Sequence, residues 1–324
     1  MEFTPLIKTK AQAEMKAVQK SLPLFTGRVR PYIEVIHELD NRIEQKYFAL
    51  LNNTFHFIQI HRDFGETLID HIAKTKVIPV SEMVVLSIEI RDRDFVDNLA
   101  VIIDFIEKEH SKNRQVAVRI SLGTKIVFIE LLLKRLLPGD YLFIDMHEDP
   151  FPSAVFYLKR AYSLDHECHM IAISNERIPK MSGREFADGD FNPLLNTSLV
   201  QAIKDNRFQL DGFGTYCSAK NDLTESQPNK RPVYAVFLLY NYAMNQYYSI
   251  KSDCLDHISR IYGTLRPKLI KQLPVIKTKF FVNTPISRKE LEDFLLSNKK
   301  GNASTYIFFS ITHYIEEIIY NIGL

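Results

Sequence analysis

Short apolar runs that end in a polar residue alternate with helix-periodic stretches eight times in the first two thirds of the chain. The runs are Phe3–Lys8, Pro31–Ile36, Phe55–His61, Val84–Arg91, Val116–Ser121, Tyr141–Asp145, Cys168–Ser174 and Phe208–Asp211. Tyr32-Ile33-Glu34-Val35-Ile36 is continuously apolar and β-branched apart from one acid, as suits a strand covered on both faces. Between runs the period changes. Phe95, Leu99, Ile102, Ile103 and Ile106 fall on one helical stripe, and Asp92 or Asp94 can cap its start. Eight such units over about 210 residues predict a (β/α)8, TIM-barrel-like fold. Two stretches are irregular. Asn175–Asn196 predicts a long βα loop before a short helix at Thr197–Asp205, and Lys76–Val80 fits either the start of strand four or a short strand of its own.

A polar break at Asn221–Pro232 ends the pattern. Beyond it, Val233–Ile250 predicts one or two strands, and Asp253–Leu273, Ser287–Asn298 and Ser304–Ile322 predict helices. The expected organisation is a barrel over 1–220 and an α+β extension over 221–324 packed on it. The apolar stretches Val233–Tyr248 and Tyr306–Ile319 exceed what one surface face needs, so a homodimer through the tail is expected.

Composition narrows the class. The chain is 46% hydrophobic and 25% charged, enough for a large core. The net charge is +2, from 41 basic and 39 acidic residues, so charge gives no general push toward nucleic acid or an anionic membrane. Cys168, Cys217 and Cys254 lack paired spacing, which predicts free thiols and a cytoplasmic setting. The polar, charged Met1–Lys20 stretch predicts no signal peptide, and no run of 18 apolar residues predicts a membrane span.

Barrels of this kind carry their chemistry at the C-terminal ends of the strands. Those ends bear Glu34, Glu89, Asp145 and Asp211 on even strands and Lys8, His61 and Arg119 on odd ones. The four acids are the candidate catalytic groups. Lys8, Arg119 and His61 are candidate contacts for an anionic ligand. Four clustered carboxylates repel, so they need the cations nearby, a divalent metal ion, or a raised pKa. The alternative is a salt-bridged rim that plugs the barrel. Leu122-Gly123-Thr124 puts backbone N–H groups at a helix start, where an ordinary N-cap is the simpler meaning. His147-Glu148-Asp149 and His166-Glu167-Cys168-His169 contain metal-ligand types without zinc-site spacing. Gly212-Phe213-Gly214-Thr215-Tyr216-Cys217 looks like a turn. Tyr234, Tyr240, Tyr242, Tyr247 and Tyr248 fit a packed strand better than a base-stacking surface.

Phe3-Thr4-Pro5-Leu6-Ile7-Lys8-Thr9-Lys10, followed by an Ala- and Lys-rich helix and Arg30-Pro31-Tyr32-Ile33-Glu34-Val35, resembles the opening of the beta protein family of phages and bacteria. Val118-Arg119-Ile120, Ile144-Asp145 and Gly212-Phe213-Gly214-Thr215-Tyr216 look like later landmarks of that family, and His147-Glu148 departs from it. The family has no settled activity. The resemblance implies a bacterial or prophage accessory protein in anti-phage defence. Two functions follow: an enzyme acting on a small anionic or phosphorylated ligand, or a non-catalytic sensor or scaffold that binds a phage or host protein.

Overall fold

A computed structural model describes residues 1–9, 12–36, 53–78, 81–147, 151–174, 186–193, 199–204, 210–217, 235–253, 258–297 and 299–324. Its strands are β1 (Glu2–Thr9), β2 (Tyr32–Val35), β3 (His56–Ile60), β4 (Val84–Ile90), β5 (Val116–Ser121), β6 (Tyr141–Asp145), β7 (His169–Ser174), β8 (Asp190–Pro193), β9 (Gly212–Tyr216), β10 (Val236–Asn241) and β11 (Gln246–Lys251). The helices are α1 (Gln12–Ser21), α2 (Leu68–Thr75), α3 (Asp92–Asp97), α4 (Leu99–His110), α5 (Ile126–Leu133), α6 (Phe151–Tyr162), α7 (Leu199–Lys204), α8 (Ile258–Lys279), α9 (Pro285–Leu296) and α10 (Ala303–Ile322). The chain divides into two compact units. One comprises Met1–Lys10, Phe25–Glu176 and Asn196–Tyr216; the other comprises Ala11–Leu24, Arg177–Leu195 and Cys217–Leu324.

The first unit is a closed, parallel, eight-stranded TIM-barrel-like fold in the order β1 to β7, then β9, which pairs back onto β1. β2 is buried at all four positions, which explains its unbroken apolar pattern. Inside, Leu6, Tyr32, Phe57, Val85, Ala117, Tyr141, Phe143, Ile171, Ile173 and Tyr216 form one core. Phe57 meets Tyr141 and Phe143 edge-on, with ring centroids 4.5 and 4.9 Å apart. At the N-terminal end Arg30 lies over the rings of Phe55 and Tyr141 and pairs with Glu2 at 3.3 Å, which closes the barrel floor.

The eighth barrel strand differs from expectation. It runs Gly212–Tyr216, beginning after Phe208–Asp211, and residues 205–209 lie outside the described part. Gly212 and Gly214 belong to the strand because their neighbours leave no room. A Cβ on Gly214 would stand 2.9 Å from the Thr4 carbonyl and 3.1 Å from the Ile173 side chain. Two glycines thus make space for Ile171 and Ile173 rather than forming a turn. Lys76, Val77 and Ile78 form the turn after α2, not a strand; residues 79 and 80 are outside the described part.

The second unit holds a three-stranded antiparallel sheet, β10-β11-β8. The Asn175–Asn196 stretch therefore contains a strand, and Val233–Ile250 contains a hairpin. Helix α10 is buried on nearly all sides, against α1, α9 and β10. Tyr240, Tyr242, Tyr247 and Tyr248 are buried as well, so none of the four offers a ring to a base; Tyr234 lies outside the described residues. The apolar stretches that motivated a homodimer are, in their described parts, largely consumed within one chain. Among the described residues no helix is long and apolar enough to cross a membrane.

Candidate functional site

The C-terminal mouth of the barrel carries a dense polar cluster, and Arg119 is its centre. The register places Lys8 opposite Glu34, Arg119 opposite Phe143 and Ser121 opposite Asp145. Alternate residues of a strand face the same side, so Lys8, Glu34, Arg119 and Asp145 all turn inward above the aromatic core. The Arg119 guanidinium donates from Nη1 to Glu34 Oε2 at 2.9 Å and from Nε to Asp145 Oδ2 at 2.8 Å. Its Nη2 donates to Asp145 and to the Tyr216 hydroxyl, and that hydroxyl donates in turn to Asp145. Lys8 Nζ lies 3.6 Å from Glu34 Oε2 and 5.1 Å from the centre of the Tyr216 ring.

Burial would push the carboxyls of Glu34 and Asp145 upward. The Arg119 charge and the surrounding donors outweigh it and hold both below the ordinary carboxylate range. Burial drives the Tyr216 phenol well above its usual value, so it stays protonated and able to donate. Two carboxylates thus face two cations, Arg119 and Lys8, and the buried charge is balanced.

Glu34 also holds an imidazole nearer the solvent, and a second imidazole stands beside Asp145. His61 Nδ1 is 2.6 Å from Glu34 Oε1, and because that oxygen is ionised the nitrogen must carry the proton. His147 donates its backbone N–H to Asp145 Oδ1 at 2.8 Å and brings Nδ1 to 3.4 Å from Oδ2. The His61 side chain is 20% exposed and that of His147 is 47% exposed.

The remaining candidates go elsewhere. Glu89 stands opposite Arg119 in register, yet its carboxylate accepts from Arg91 Nε at 2.9 Å. Arg91 belongs to a second network in which the buried Arg62 grips Asp94 through both terminal nitrogens, at 2.5 and 2.9 Å. Asp211 is at the opposite end. It precedes β9, its carbonyl accepts from Glu2 N, and its carboxylate lies 3.2 Å from His166 Nε2. The misplacement follows because the strand begins only after Asp211 and ends at Tyr216. Asp211 lines an open cleft of about 530 Å³ at the barrel floor with His166, Glu167, Cys168 and His169. Burial pushes the Cys168 thiol up to about 12, so it is a poor nucleophile. Cys217 is also buried.

A shared divalent cation does not fit the mouth, because Arg119 already joins Glu34 to Asp145. Among the described residues no group of three or more His, Cys, Asp or Glu side chains is arranged to hold a metal ion. The sequence assigns no role in the mouth to three residues that stand there: Tyr216, hidden by the shifted strand; His147, a metal-ligand type and a departure from the resembled family; and Ser121, an unremarkable strand end. No family model, curated protein or solved structure matches the chain.

Proposed function

We propose that the barrel mouth binds a small anionic or phosphorylated ligand and acts on it through imidazoles, in a bacterial or prophage protein of anti-phage defence. The observation that carries this reading is the pair of histidines. Glu34 and Asp145, joined by Arg119, each have one imidazole beside them near the surface, so two groups able to carry a proton sit above a charge-balanced base. A protonated imidazole beside a carboxylate can donate to an anionic oxygen, and a neutral one can take a proton from a ligand. Arg119 has a different role from a direct ligand contact. All three of its nitrogens donate to protein partners, so it positions the two carboxylates. The defence setting rests on the resemblance of the N-terminal motifs alone.

Calorimetric titration of the full chain with inorganic phosphate and with adenosine monophosphate tests the binding. Binding that weakens at least tenfold in His61→Ala is the expected result. No heat with either probe at millimolar concentration overturns it.

A second reading, a sensor that docks a protein, has an observation of its own. Phe64 is 95% exposed at the tip of the loop after β3. Arg91 and Arg93 donate to its carbonyl, and Arg62 braces the same loop through Glu66. A fixed, exposed aromatic suits a partner surface.

A further inference from the structure

Ser121 and His147 stand at the ends of β5 and just past β6, beside the buried Asp145. Ser121 Oγ lies 3.2 Å from His147 Nε2, and His147 Nδ1 lies 3.4 Å from Asp145 Oδ2. The two contacts use opposite nitrogens of one ring, so hydroxyl, imidazole and carboxylate follow one another in a chain. The backbone is shaped for this. His147 has φ 48°, a left-handed conformation uncommon outside glycine, and its N–H is fastened to Asp145 Oδ1. Strain of that kind persists where the surroundings over-determine it. Asp145 is fully buried and held by Arg119 and Tyr216, whereas nearly half of the His147 side chain meets solvent. The anchored end is dry and the reacting end is open. The Ser121–Asp145 register, with Leu122 N donating to the Asp145 carbonyl at 2.7 Å, fixes the two strand ends to each other.

We infer that Ser121 is a nucleophile, with His147 as its general base and Asp145 as a positioning residue, for hydrolysis of a carboxylic ester. The order of the three groups is the one that activates a serine on unrelated folds. Ser121 Oγ bonds to the ester carbonyl carbon while its proton passes to His147 Nε2. The bond from that carbon to the leaving oxygen breaks, and the departing alcohol takes the proton from His147. A water molecule then gives a proton to the same nitrogen and attacks the acyl-serine. The bond from the acyl carbon to Ser121 Oγ breaks, Oγ takes the proton back from His147 Nε2, and the acid leaves. No electron is transferred and no cofactor is required. The step shares His147 with the anion reading, whereas His61 and Lys8 take no part in it.

The full chain, treated with a fluorophosphonate probe and mapped by mass spectrometry, tests the inference. One adduct on Ser121 is expected, absent in Ser121→Ala, together with loss of p-nitrophenyl acetate hydrolysis in that variant. In His147→Ala the labelling rate should fall by about 100-fold or more. Both side chains are partly exposed, so thermal melting should report intact folds. In Asp145→Asn the kcat for p-nitrophenyl acetate should fall at an unchanged KM in the protein that remains folded, whereas a purely structural role would lower only the folded fraction. Folded wild-type protein that leaves Ser121 unlabelled overturns the inference, as does equal labelling without His147. Failure of phosphate to bind, with Ser121 still labelled, removes the anion reading and leaves this one standing.

Discussion

Arg119 decides whether the mouth of the barrel is stable. It is buried, and it bridges two carboxylates that are themselves buried. Removing one partner of such a network leaves uncompensated charge in a low dielectric, at a cost of about 3–5 kcal/mol. Arg119→Ala is therefore expected to lower the melting temperature sharply, whereas His61→Ala, at a partly exposed site, should lower it little. Equal melting of Arg119→Ala and wild type would contradict the account. The same residues set an acid limit. Glu34 and Asp145 are held below their unfolded values, so each contributes stability that is present in full above the unfolded pKa, about 4, and is lost as pH falls through the folded one. The denaturation midpoint in urea should thus fall on acidification below about pH 4. Glu34→Gln should flatten that fall; an undiminished slope would mean that Glu34 is not a source of it.

At the scale of elements, helix α10 carries three buried polar side chains that tie the second unit together. Glu316 accepts from the N–H groups of Ile286 and Ser287 at 2.8 and 2.7 Å and so caps the start of α9. His313 meets the Tyr240 carbonyl at 2.8 Å, and Glu317 accepts from Tyr242 N at 2.9 Å. Burial raises the Glu317 carboxyl to about 7, against weaker lowering by its hydrogen bonds. Its folded pKa lies above its unfolded one. The stability it contributes is complete below about 4.5 and is lost as pH rises through 7. Glu317→Gln keeps an acceptor for Tyr242 and removes the charge, so it should stabilise the protein at pH 8 and make little difference at pH 5. Equal effects at the two values would show that the ionised form costs nothing there. The first seven barrel strands are written in the sequence because burial on both faces demands continuous apolar residues, as in Tyr32–Val35. The eighth is not, because Gly212 and Gly214 answer to the size of Ile171 and Ile173, side chains that are distant in sequence. β8 was missed for a similar reason: its partner, β11, lies more than fifty residues along the chain. The convergence of Lys8, Glu34, His61, Arg119 and Asp145 was legible from strand ends alone. Glu89 and Asp211 show the limit, one drawn aside by Arg91 and the other displaced by the shifted strand.

For the whole molecule, the two functional readings assign the activity to different surfaces of the barrel unit. His61 is anchored inside the mouth by Glu34, whereas Phe64 stands out on its braced loop. The two residues are three apart in sequence, yet one is tied to the polar cluster of the mouth and the other faces solvent. Neither is needed for the core, since His61 is partly exposed and Phe64 almost wholly so. His61→Ala and Phe64→Asp should therefore both fold, which circular dichroism and thermal melting would check. In a phage-protection assay the ligand reading expects His61→Ala to lose protection and Phe64→Asp to keep it. A docking sensor expects the reverse, because an aspartate at the centre of an apolar contact imposes an uncompensated charge on the partner. The ligand reading is the one the geometry favours. Imidazoles beside carboxylates at a barrel mouth have a chemical use that a salt-bridged plug would not require, whereas a single exposed ring is common on protein surfaces. Protection that survives His61→Ala and vanishes in Phe64→Asp would reverse that order.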